Sequence, residues 1–354
     1  MFIGRYYHVI WSDQMANETK DKNEAIEMDY LRWPVAIDGY RWVDTNIVIL
    51  PKKPFYIYGL GGEPPFLMPN GERANIYTPM IDTPLLFQEF ADLDISKDRI
   101  LEFANKYGVL GESSIVFFKS KGQENHWGEG LDIWTHAISR MKLFFNLWEM
   151  AEKWEFEKLS KFFRWYDNQV EFAVGYLDGK IIPGWGLDFD GILSAMFQCF
   201  PLSPKVESEN PRTKTPAPQG NLPLWAYRYT IADDSKTLPR FFQQWKKNED
   251  YYSLARVAIA KAINEHLSQK CSPRLLIDKE GKFKPYFVPH NLLFAMWFQF
   301  YKAFIGEIKI RRCEYCNQWM NITDSRKDKR YHSRCALLKR KGDYDIKHGK
   351  KKNS

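Results

Sequence analysis

The stretch "RRCEYCNQWMNITDSRKDKRYHSRCALLKRK", Arg311–Lys341, decides how the end of this chain folds. It holds three of the five cysteines and one of the seven histidines. Cys313, Cys316, His332 and Cys335 follow the pattern C-x2-C, fifteen residues, H-x2-C. Zinc prefers four tetrahedral ligands drawn from thiolate and imidazole, and a C-x2-C step lets one tight turn direct both sulfurs at one ion. We therefore predict one structural Zn²⁺, because four protein ligands leave no open position for catalysis.

The spacer between the two ligand pairs supports a metal-built module. It is long enough to fold back and too polar to bury a core of its own. A segment of this size needs a metal ion to offset its conformational entropy. Trp319 and Tyr331 are expected to provide its small apolar platform. The alternative is a set of thiols that bind no metal or that take part in redox chemistry.

The positive charge of the chain is concentrated at this end. Residues 309–354 contain 15 Lys and Arg against 5 Asp and Glu, whereas the rest contains 36 against 39, within a total net charge of +7. Such segregation is typical of a polyanion-binding end on an ordinary body. The candidate nucleic-acid contacts around the finger are Arg311, Arg312, Arg326, Lys327, Lys329, Arg330, Arg334, Lys339, Arg340 and Lys341.

These basic side chains favour nucleic-acid binding over a merely solvated charge run. They decorate a module that has almost no other surface, and Lys and Arg displace condensed counterions from phosphates. Two other interpretations remain open. The finger could contact a protein, or it could only fix the C-terminus to the body.

The rest of the chain divides by pattern into regions. Residues 1–80 form a β-rich region, and residues 81–200 and 224–308 form helical regions, the second with a hairpin. Residues 201–223 hold six prolines and few apolar side chains, which indicates a Pro-rich linker or long loop. Residues 309–354 form the zinc finger and its basic tail. The predicted fold class is therefore α+β, a predominantly α-helical body with an N-terminal β element and a small C-terminal zinc finger.

Helical signals are clearest in four segments of the body. Ser96 precedes "KDRILEFANKYG" as an N-cap, and Gly108 is a natural stop. Apolar residues recur at three- and four-residue steps over 131–159, which predicts one long amphipathic helix. "YYSLARVAIAKAINEHLSQ", from Tyr251, is a third helix. "HNLLFAMWFQFYKAFIG" predicts a helix from Asn291 to Gly306 that is apolar nearly all round and must pack inside the body.

The composition excludes several classes of protein. An odd cysteine count with three of them clustered is unlike a secreted disulfide scaffold. No run of about 18 apolar residues is present, so a membrane span is not expected. Cys199 and Cys271 are predicted to be ordinary buried thiols. We find no nucleophile elbow, H-E-x-x-H or Walker loop, so no catalytic residue is assigned.

The C-terminal segment resembles the zinc finger of bacterial CGNR-type proteins, over about 50 residues. The finger pattern there is an Arg-rich entry, a Cys pair, an aromatic, then Arg–aromatic–Cys–Ser and a final Cys. The matching residues are Cys313, Cys316, Trp319, Arg330, Tyr331, Ser333 and Cys335. His332 stands where the family has a cysteine, and "ALLKRK" replaces its Gly-Asn-Arg. The resemblance implies an α-helical N-terminal region, called ABATE, and a role in transcriptional regulation.

These observations predict a cytoplasmic, non-enzymatic, nucleic-acid-binding protein, with DNA favoured over RNA and a regulatory role. The body is then expected to sense a small-molecule effector or to bind a protein partner, away from any membrane. One rival is a protein-interaction module in which zinc only staples the C-terminus. The other is an enzyme with an unrecognised site in the helical body, where His126, His136, His266 and His290 could converge. Neither the effector nor the oligomeric state follows from the sequence.

Overall fold

A computed structural model describes most of the chain between Leu31 and Lys347. The described residues are 31–43, 65–71, 73–112, 128–166, 169–177, 180–183, 225–232, 239–268, 270–277, 283–323, 325 and 329–347. Helices and small antiparallel sheets occupy separate stretches of this part, and more residues are helical than extended. The α+β class is therefore confirmed.

Nine α-helices lie in the described residues. In chain order, α1–α9 are Pro79–Asp82, Leu86–Ala91, Lys97–Tyr107, Leu131–Glu152, Phe156–Leu159, Pro239–Asn248, Tyr251–Leu267, Leu292–Phe304 and Ser333–Lys347. Helices α2, α4, α7 and α8 pack against one another around a single large apolar core. No helix in the described part is long and apolar enough to cross a membrane.

Thirteen strands of the same part form five antiparallel sheets. In chain order, β1–β13 are Trp33–Ala36, Tyr40–Val43, Phe66–Pro69, Ala74–Tyr77, Glu129–Gly130, Phe163–Trp165, Gln169–Leu177, Lys180–Pro183, Trp225–Ala232, Cys271–Ile277, Phe283–Pro289, Ile310–Arg312 and Trp319–Asn321. The sheets are β1–β4, β2–β3–β5, β10–β11, β12–β13, and a four-stranded sheet in which β7 pairs with β6, β8 and β9. All pairings are antiparallel.

The capping signals place helix α3 where the sequence predicts it. The Ser96 side chain accepts a hydrogen bond from the Arg99 N–H, 3.4 Å away, and so satisfies one of the free amides of the first turn. Gly108 ends the helix at φ 88°, a conformation that a residue with a Cβ adopts only at a cost. Both caps are confirmed.

The long helix predicted over 131–159 is interrupted. Helix α4 ends at Glu152, Trp154 adopts a left-handed conformation with φ 56°, and the short helix α5 begins at Phe156. The prediction of one continuous helix is wrong here, because the apolar periodicity persists across the break and hides it. The break turns the chain from the core helix towards β6.

The apolar helix predicted near the C-terminus is helix α8, and its burial is confirmed. The Asn291 side chain caps it by accepting from the Phe294 N–H at 2.9 Å. Ten of its residues are buried, including Trp297 and Phe300. A helix with this much buried surface serves as the centre of the core, and the chain leaves it only six residues before β12.

The four-stranded sheet around β7 is not predicted by the sequence analysis, which treats 81–200 and 224–308 as helical. Residues 201–223, predicted as a Pro-rich linker or long loop, lie outside the described residues. Strand β9 follows that segment and pairs along the whole length of β7, from Gln169↔Ala232 to Tyr176↔Trp225. The regions on the two sides of 201–223 therefore share one sheet.

A buried glutamine joins helix α8 to the start of the helical layer. Gln299 is fully buried, and its Nε2 donates to the carbonyls of Pro79 and Thr83, both at 2.9 Å. Its Oε1 accepts from the Phe87 N–H at 3.2 Å. One side chain thus satisfies backbone groups on both sides of the turn between α1 and α2. Each of these groups is costly to bury without a partner.

Replacing Gln299 with Leu is expected to lower the free energy of unfolding by about 1–3 kcal/mol, because the buried Phe87 N–H is left without its partner. The Pro79 and Thr83 carbonyls each lose one donor but keep the N–H groups of Thr83 and Leu86. Chemical denaturation monitored by circular dichroism measures the change. Gln88→Leu is the matched control, since Gln88 is also buried and its Nε2 has no hydrogen-bond partner in the described part of the chain. An equal loss of stability in both variants would contradict the role given to Gln299.

Candidate metal centre

A tight turn between β12 and β13 holds the first two candidate ligands. The strands pair from Ile310↔Asn321 to Arg312↔Trp319. Inside the turn, the Cys313 N–H donates to the Gln318 carbonyl at 2.8 Å, and the Asn317 N–H donates to the Cys313 carbonyl at 2.9 Å. Asn317 adopts φ 56°, a conformation that Asn tolerates better than most residues. The sequence "CEYCNQ" therefore folds into a loop that turns both thiols to the same side.

The second ligand pair lies at the start of helix α9. The helix begins at Ser333, and the His332 carbonyl accepts from the Ala336 N–H at 2.9 Å. Cys335 is thus in the first helical turn, three residues after His332. Residues three apart at the start of a helix lie on one side of it, so the side chains of His332 and Cys335 are neighbours.

The four ligand atoms converge. The three Sγ atoms and the imidazole nitrogen all lie within 4.8 Å of one another. The Nδ1 atom of His332 lies 3.4 Å from the Cys316 Sγ and 3.9 Å from the Cys335 Sγ. A tetrahedral ion with bonds of roughly 2.0–2.3 Å separates its ligands by about 3.5–3.8 Å. The residues present therefore fit a four-coordinate metal ion.

A hydrogen bond on the far side of the imidazole orients the His332 ring. Its Nε2 lies 3.1 Å from the Trp319 carbonyl oxygen. A metal ion on Nδ1 leaves the ring proton on Nε2, which then donates to that carbonyl. Metal-bound histidines generally have such a second contact, which fixes the tautomer and the ring plane. The β13 strand thus orients a ligand that the helix carries.

The electrostatics of the thiols favour a bound cation. Burial raises the pKa of Cys313, but the backbone N–H groups of Cys316, His332 and Tyr315 outweigh burial and lower it to about 6. Burial, together with the neighbouring Cys316 and Cys313 sulfurs, raises the pKa of Cys335 to about 11. Three thiolates this close repel one another. A metal dication removes that repulsion and allows all three to ionise.

The hairpin that holds the ligands is docked on helix α4 of the body. The Trp319 ring packs edge-on against Phe145, with the ring centroids 5.4 Å apart. Arg312 donates from Nε and Nη2 to the two carboxylate oxygens of Glu149, at 2.8 and 3.2 Å. Its guanidinium also lies 4.4 Å from the Trp319 ring centroid. Apolar packing and a bidentate ion pair therefore join the module to the core.

The stabilisation that the ion pair between Arg312 and Glu149 provides is lost at low pH. The Glu149 side chain is 13% exposed, and burial alone raises its pKa. Hydrogen bonds from Arg312 and Lys153 outweigh burial and hold the pKa of Glu149 below its ordinary value. A lowered folded-state pKa means that the pair stabilises the fold at neutral pH. Its contribution is lost as the pH falls through the lowered pKa.

The structure divides the predicted nucleic-acid contacts into two groups. Arg312 is engaged by Glu149 and Trp319, so it joins the module to the body. Arg330 lies 3.7 Å from the Glu314 carboxylate, and Lys339 contacts the Tyr331 hydroxyl and ring. These three side chains already have partners within the protein.

The other predicted contacts are open to solvent or lie outside the described residues. Arg311, Arg334, Arg340 and Lys341 are exposed, whereas Lys329 is partly buried and donates to the Ser325 hydroxyl at 3.3 Å. In the part of the chain described, no carboxylate pairs with Arg334, Arg340 or Lys341. The predicted contacts Arg326 and Lys327 lie outside the described residues.

Two of the scattered histidines of the body, His136 and His266, lie near the same guanidinium, that of Arg140. His266 stacks on Trp297 at 3.9 Å between ring centroids, and burial lowers its pKa to about 4. Burial also lowers the pKa of His136. His290 lies 2.7 Å from the Ser272 hydroxyl at the open end of the β10–β11 hairpin. His126 lies outside the described residues.

The remaining thiols do not belong to the cluster. Cys271 is partly buried at the start of β10, and burial raises its pKa to about 11, as is typical of an unreactive thiol. Cys199 lies outside the described residues.

Sequence reasoning missed the residues that dock the module. Phe145 and Glu149 are four positions apart and so share one face of helix α4, Glu149 at its border with solvent, but nothing in their local pattern distinguishes them from other core or surface residues. An acidic residue bordering an apolar stripe is the only signal that the sequence carries. Comparison with models of known protein families, with curated proteins and with solved structures finds no match to this chain. The resemblance of the finger to CGNR-type proteins therefore stays a prediction.

Replacing Cys313 with Ser is expected to reduce bound metal from about one ion per chain to near zero, because it removes the most buried of four ligands. Elemental analysis of the purified chain measures the content, and the absorption spectrum after loading with Co²⁺ reports tetrahedral thiolate coordination.

Two variants control this experiment. His332→Cys should retain the ion, because four thiolates also hold a tetrahedral metal. Cys271→Ser removes a thiol outside the cluster and should leave the metal content unchanged. Equal metal content in Cys313→Ser and in Cys271→Ser would contradict the assignment.

Proposed function

We propose that this chain is a cytoplasmic nucleic-acid-binding protein, most simply a DNA-binding transcriptional regulator, that uses a zinc-built module as its contact surface. The observation that carries the proposal is the outer face of helix α9. Arg334 and Lys341 are seven residues apart, two helical turns, and so lie on one face. Arg340 borders the same face, and all three are exposed with no carboxylate partner in the described part of the chain.

The metal site holds this helix in place. Cys335 and His332 tie the first turn of α9 to the ion, and the hairpin ligands tie the ion to the body through Trp319 and Arg312. The inner side of the helix carries Cys335 and Lys339, and Lys339 contacts Tyr331 of the module. The outer side is left for a partner. In support of this, Leu337 on that side is 64% exposed.

Zinc is the metal that the donor set favours. Three thiolates and one imidazole form a soft, tetrahedral set, which suits Zn²⁺ better than the hard oxygen-preferring cations. Since all four positions are filled by protein, the proposed role of the ion is to fold the module. The ion adds no chemistry of its own.

DNA is favoured over RNA because the basic surface is a helix. The major groove of B-DNA is wide enough to admit an α-helix and displays a distinct pattern for each base pair. The major groove of an RNA duplex is deep and narrow and excludes one. The exposed Leu337 would offer apolar contact to a thymine methyl group, next to phosphate contacts from Arg334 and Lys341.

Binding of the zinc-loaded full-length chain to duplex DNA, single-stranded DNA and RNA, followed by fluorescence anisotropy over a salt series, tests the proposal. We expect affinity for duplex DNA that falls steeply with salt, because released counterions drive phosphate binding. The variant Arg334→Gln/Arg340→Gln/Lys341→Gln should lose affinity by at least about tenfold. Its affinity should also depend less steeply on salt concentration.

The matched control removes three exposed cations from the body. Arg32→Gln/Arg41→Gln/Lys247→Gln changes the net charge equally and should keep most of the affinity. Equal losses in the two triple variants would indicate nonspecific attraction by net charge. The absence of salt-dependent binding by the unmodified chain would refute the proposal.

A second candidate function follows from the docking of the module. The hairpin is fixed to the core by contacts among Phe145, Glu149, Arg312 and Trp319. The same docking suits a protein-interaction module in which zinc only fixes the C-terminus to the body. This candidate predicts that the α9 variant unfolds and assembles like the unmodified chain and that neither binds nucleic acid. The same titrations therefore separate the two functions.

A further inference from the structure

Trp154 occupies a backbone position that normally belongs to glycine. Helix α4 ends with the Glu155 N–H donating to the Met150 carbonyl and the Trp154 N–H donating to the Ala151 carbonyl, both at 3.0 Å. This is the Schellman ending, in which the left-handed residue is usually Gly because it has no Cβ. A bulky residue at φ 56° is strained, and the strain lowers the stability of the fold.

The side chain of Trp154 is largely open to solvent. It is 59% exposed, although an indole is among the largest apolar groups available to a protein. The backbone strain at this position is therefore offset only in part, by the contacts that the ring makes with its aromatic neighbours. Strain of this kind gathers at binding sites, where the surroundings hold a side chain ready for a ligand.

The Trp154 ring is held in a defined plane. It stacks on Tyr252 with 4.7 Å between ring centroids and 7° between ring planes, and Phe156 meets it edge-on at 5.6 Å. Arg256 lies 5.6 Å from the Tyr252 ring centroid and hydrogen-bonds the Tyr252 hydroxyl at 3.3 Å. We call Trp154, Tyr252 and Phe156 the aromatic platform. Its parallel rings suit a flat ligand that extends the stack.

The charges next to the aromatic platform are balanced. Lys153 pairs with Glu149 at 2.8 Å, and Lys158 pairs with Glu155 at 3.0 Å. Arg256 likewise lies 3.4 Å from the Glu152 carboxylate. A ligand of the platform is therefore held by stacking, with little contribution from net charge.

The end of helix α4 lies at the junction between the body and the zinc module. A groove of about 390 Å³ runs along this junction, and its lining includes the balanced charges of Glu149, Glu152, Lys153 and Arg312 beside the Trp319 ring. Lys153 is the residue directly before Trp154. The platform therefore begins directly after Glu152 and Lys153, the last residues of this end of helix α4 that line the groove.

We infer that the aromatic platform stacks an unpaired nucleobase, so that the preferred ligand is a DNA duplex with a single-stranded extension. The inference rests on the proposed nucleic-acid binding by helix α9, which supplies the phosphate contacts. Base–aromatic stacking is tolerant of sequence, because every base has a π-face. Helix α9 then binds the duplex, and Trp154 binds the extension.

The experiment compares a blunt DNA duplex with the same duplex carrying a short single-stranded overhang, using the zinc-loaded full-length chain. The unmodified chain should bind the overhang substrate roughly tenfold more tightly. Trp154→Gly should abolish that advantage, leave blunt-duplex affinity and its salt slope unchanged, and keep the backbone turn. An overhang containing 2-aminopurine should be quenched on binding to the unmodified chain only.

Glu249→Gly is the matched control. Glu249 holds the same left-handed position, φ 50°, at the end of helix α6, where the Asp250 N–H donates to the Trp245 carbonyl at 2.9 Å. This variant relieves the same backbone strain without removing a ring, and the overhang preference should persist.

The outcomes distinguish base stacking by the aromatic platform from nucleic-acid binding by helix α9. An overhang preference that survives in Trp154→Gly, or no preference in the unmodified chain, overturns the platform and leaves binding by α9 intact. Failure of the unmodified chain to bind either substrate overturns the proposed function and the platform together.

Discussion

The contact of Arg312 with Glu149 and Trp319 is the interaction on which the rest of the C-terminal architecture depends. The guanidinium meets a carboxylate in bidentate geometry and an indole face at the same time. Arginine suits this position because its planar, permanently charged group pairs and stacks at once. Arg312 directly precedes the first ligand, Cys313, so the pair also fixes where the metal-binding turn begins. Breaking it leaves a half-buried charge without its partner, which costs more than an exposed pair.

The metal site extends this anchor outwards in steps. The turn between β12 and β13 presents two thiols, and the Trp319 carbonyl sets the His332 ring. The first turn of α9 then completes the ligand set with Cys335. The small cluster of Cys313, Met320 and Ile322 is the only apolar core of the module within the described residues. Such a core is small for a hairpin and a helix, and the four converging ligands offer a metal ion that would supply the difference.

The metal ligands are easier to predict from the sequence than the contacts that dock the module on the body. Ligand spacing is local, so C-x2-C and H-x2-C can be read directly, and caps such as Ser96 and Gly108 are equally local. The break at Trp154 was missed, because a Trp in a glycine position has no sequence signal and the apolar stripe continues past it. The sequence analysis does not predict the sheet around β7. Strand β9 comes after the Pro-rich residues 201–223, and no local pattern shows that it pairs with β7 on the other side of that segment. Glu149 and Phe145 were missed, because their partners lie more than 160 residues away.

We propose that metal binding holds helix α9 and the β12–β13 hairpin on a body that folds without the ion. Hydrogen–deuterium exchange before and after metal chelation tests this most directly. We expect chelation to expose the amides of 310–323 and 333–347 to exchange, while helix α8 and the inner turns of helix α4 keep their protection. Unchanged protection of the module after complete metal removal would contradict the claim, since the module would then hold its fold without the ion.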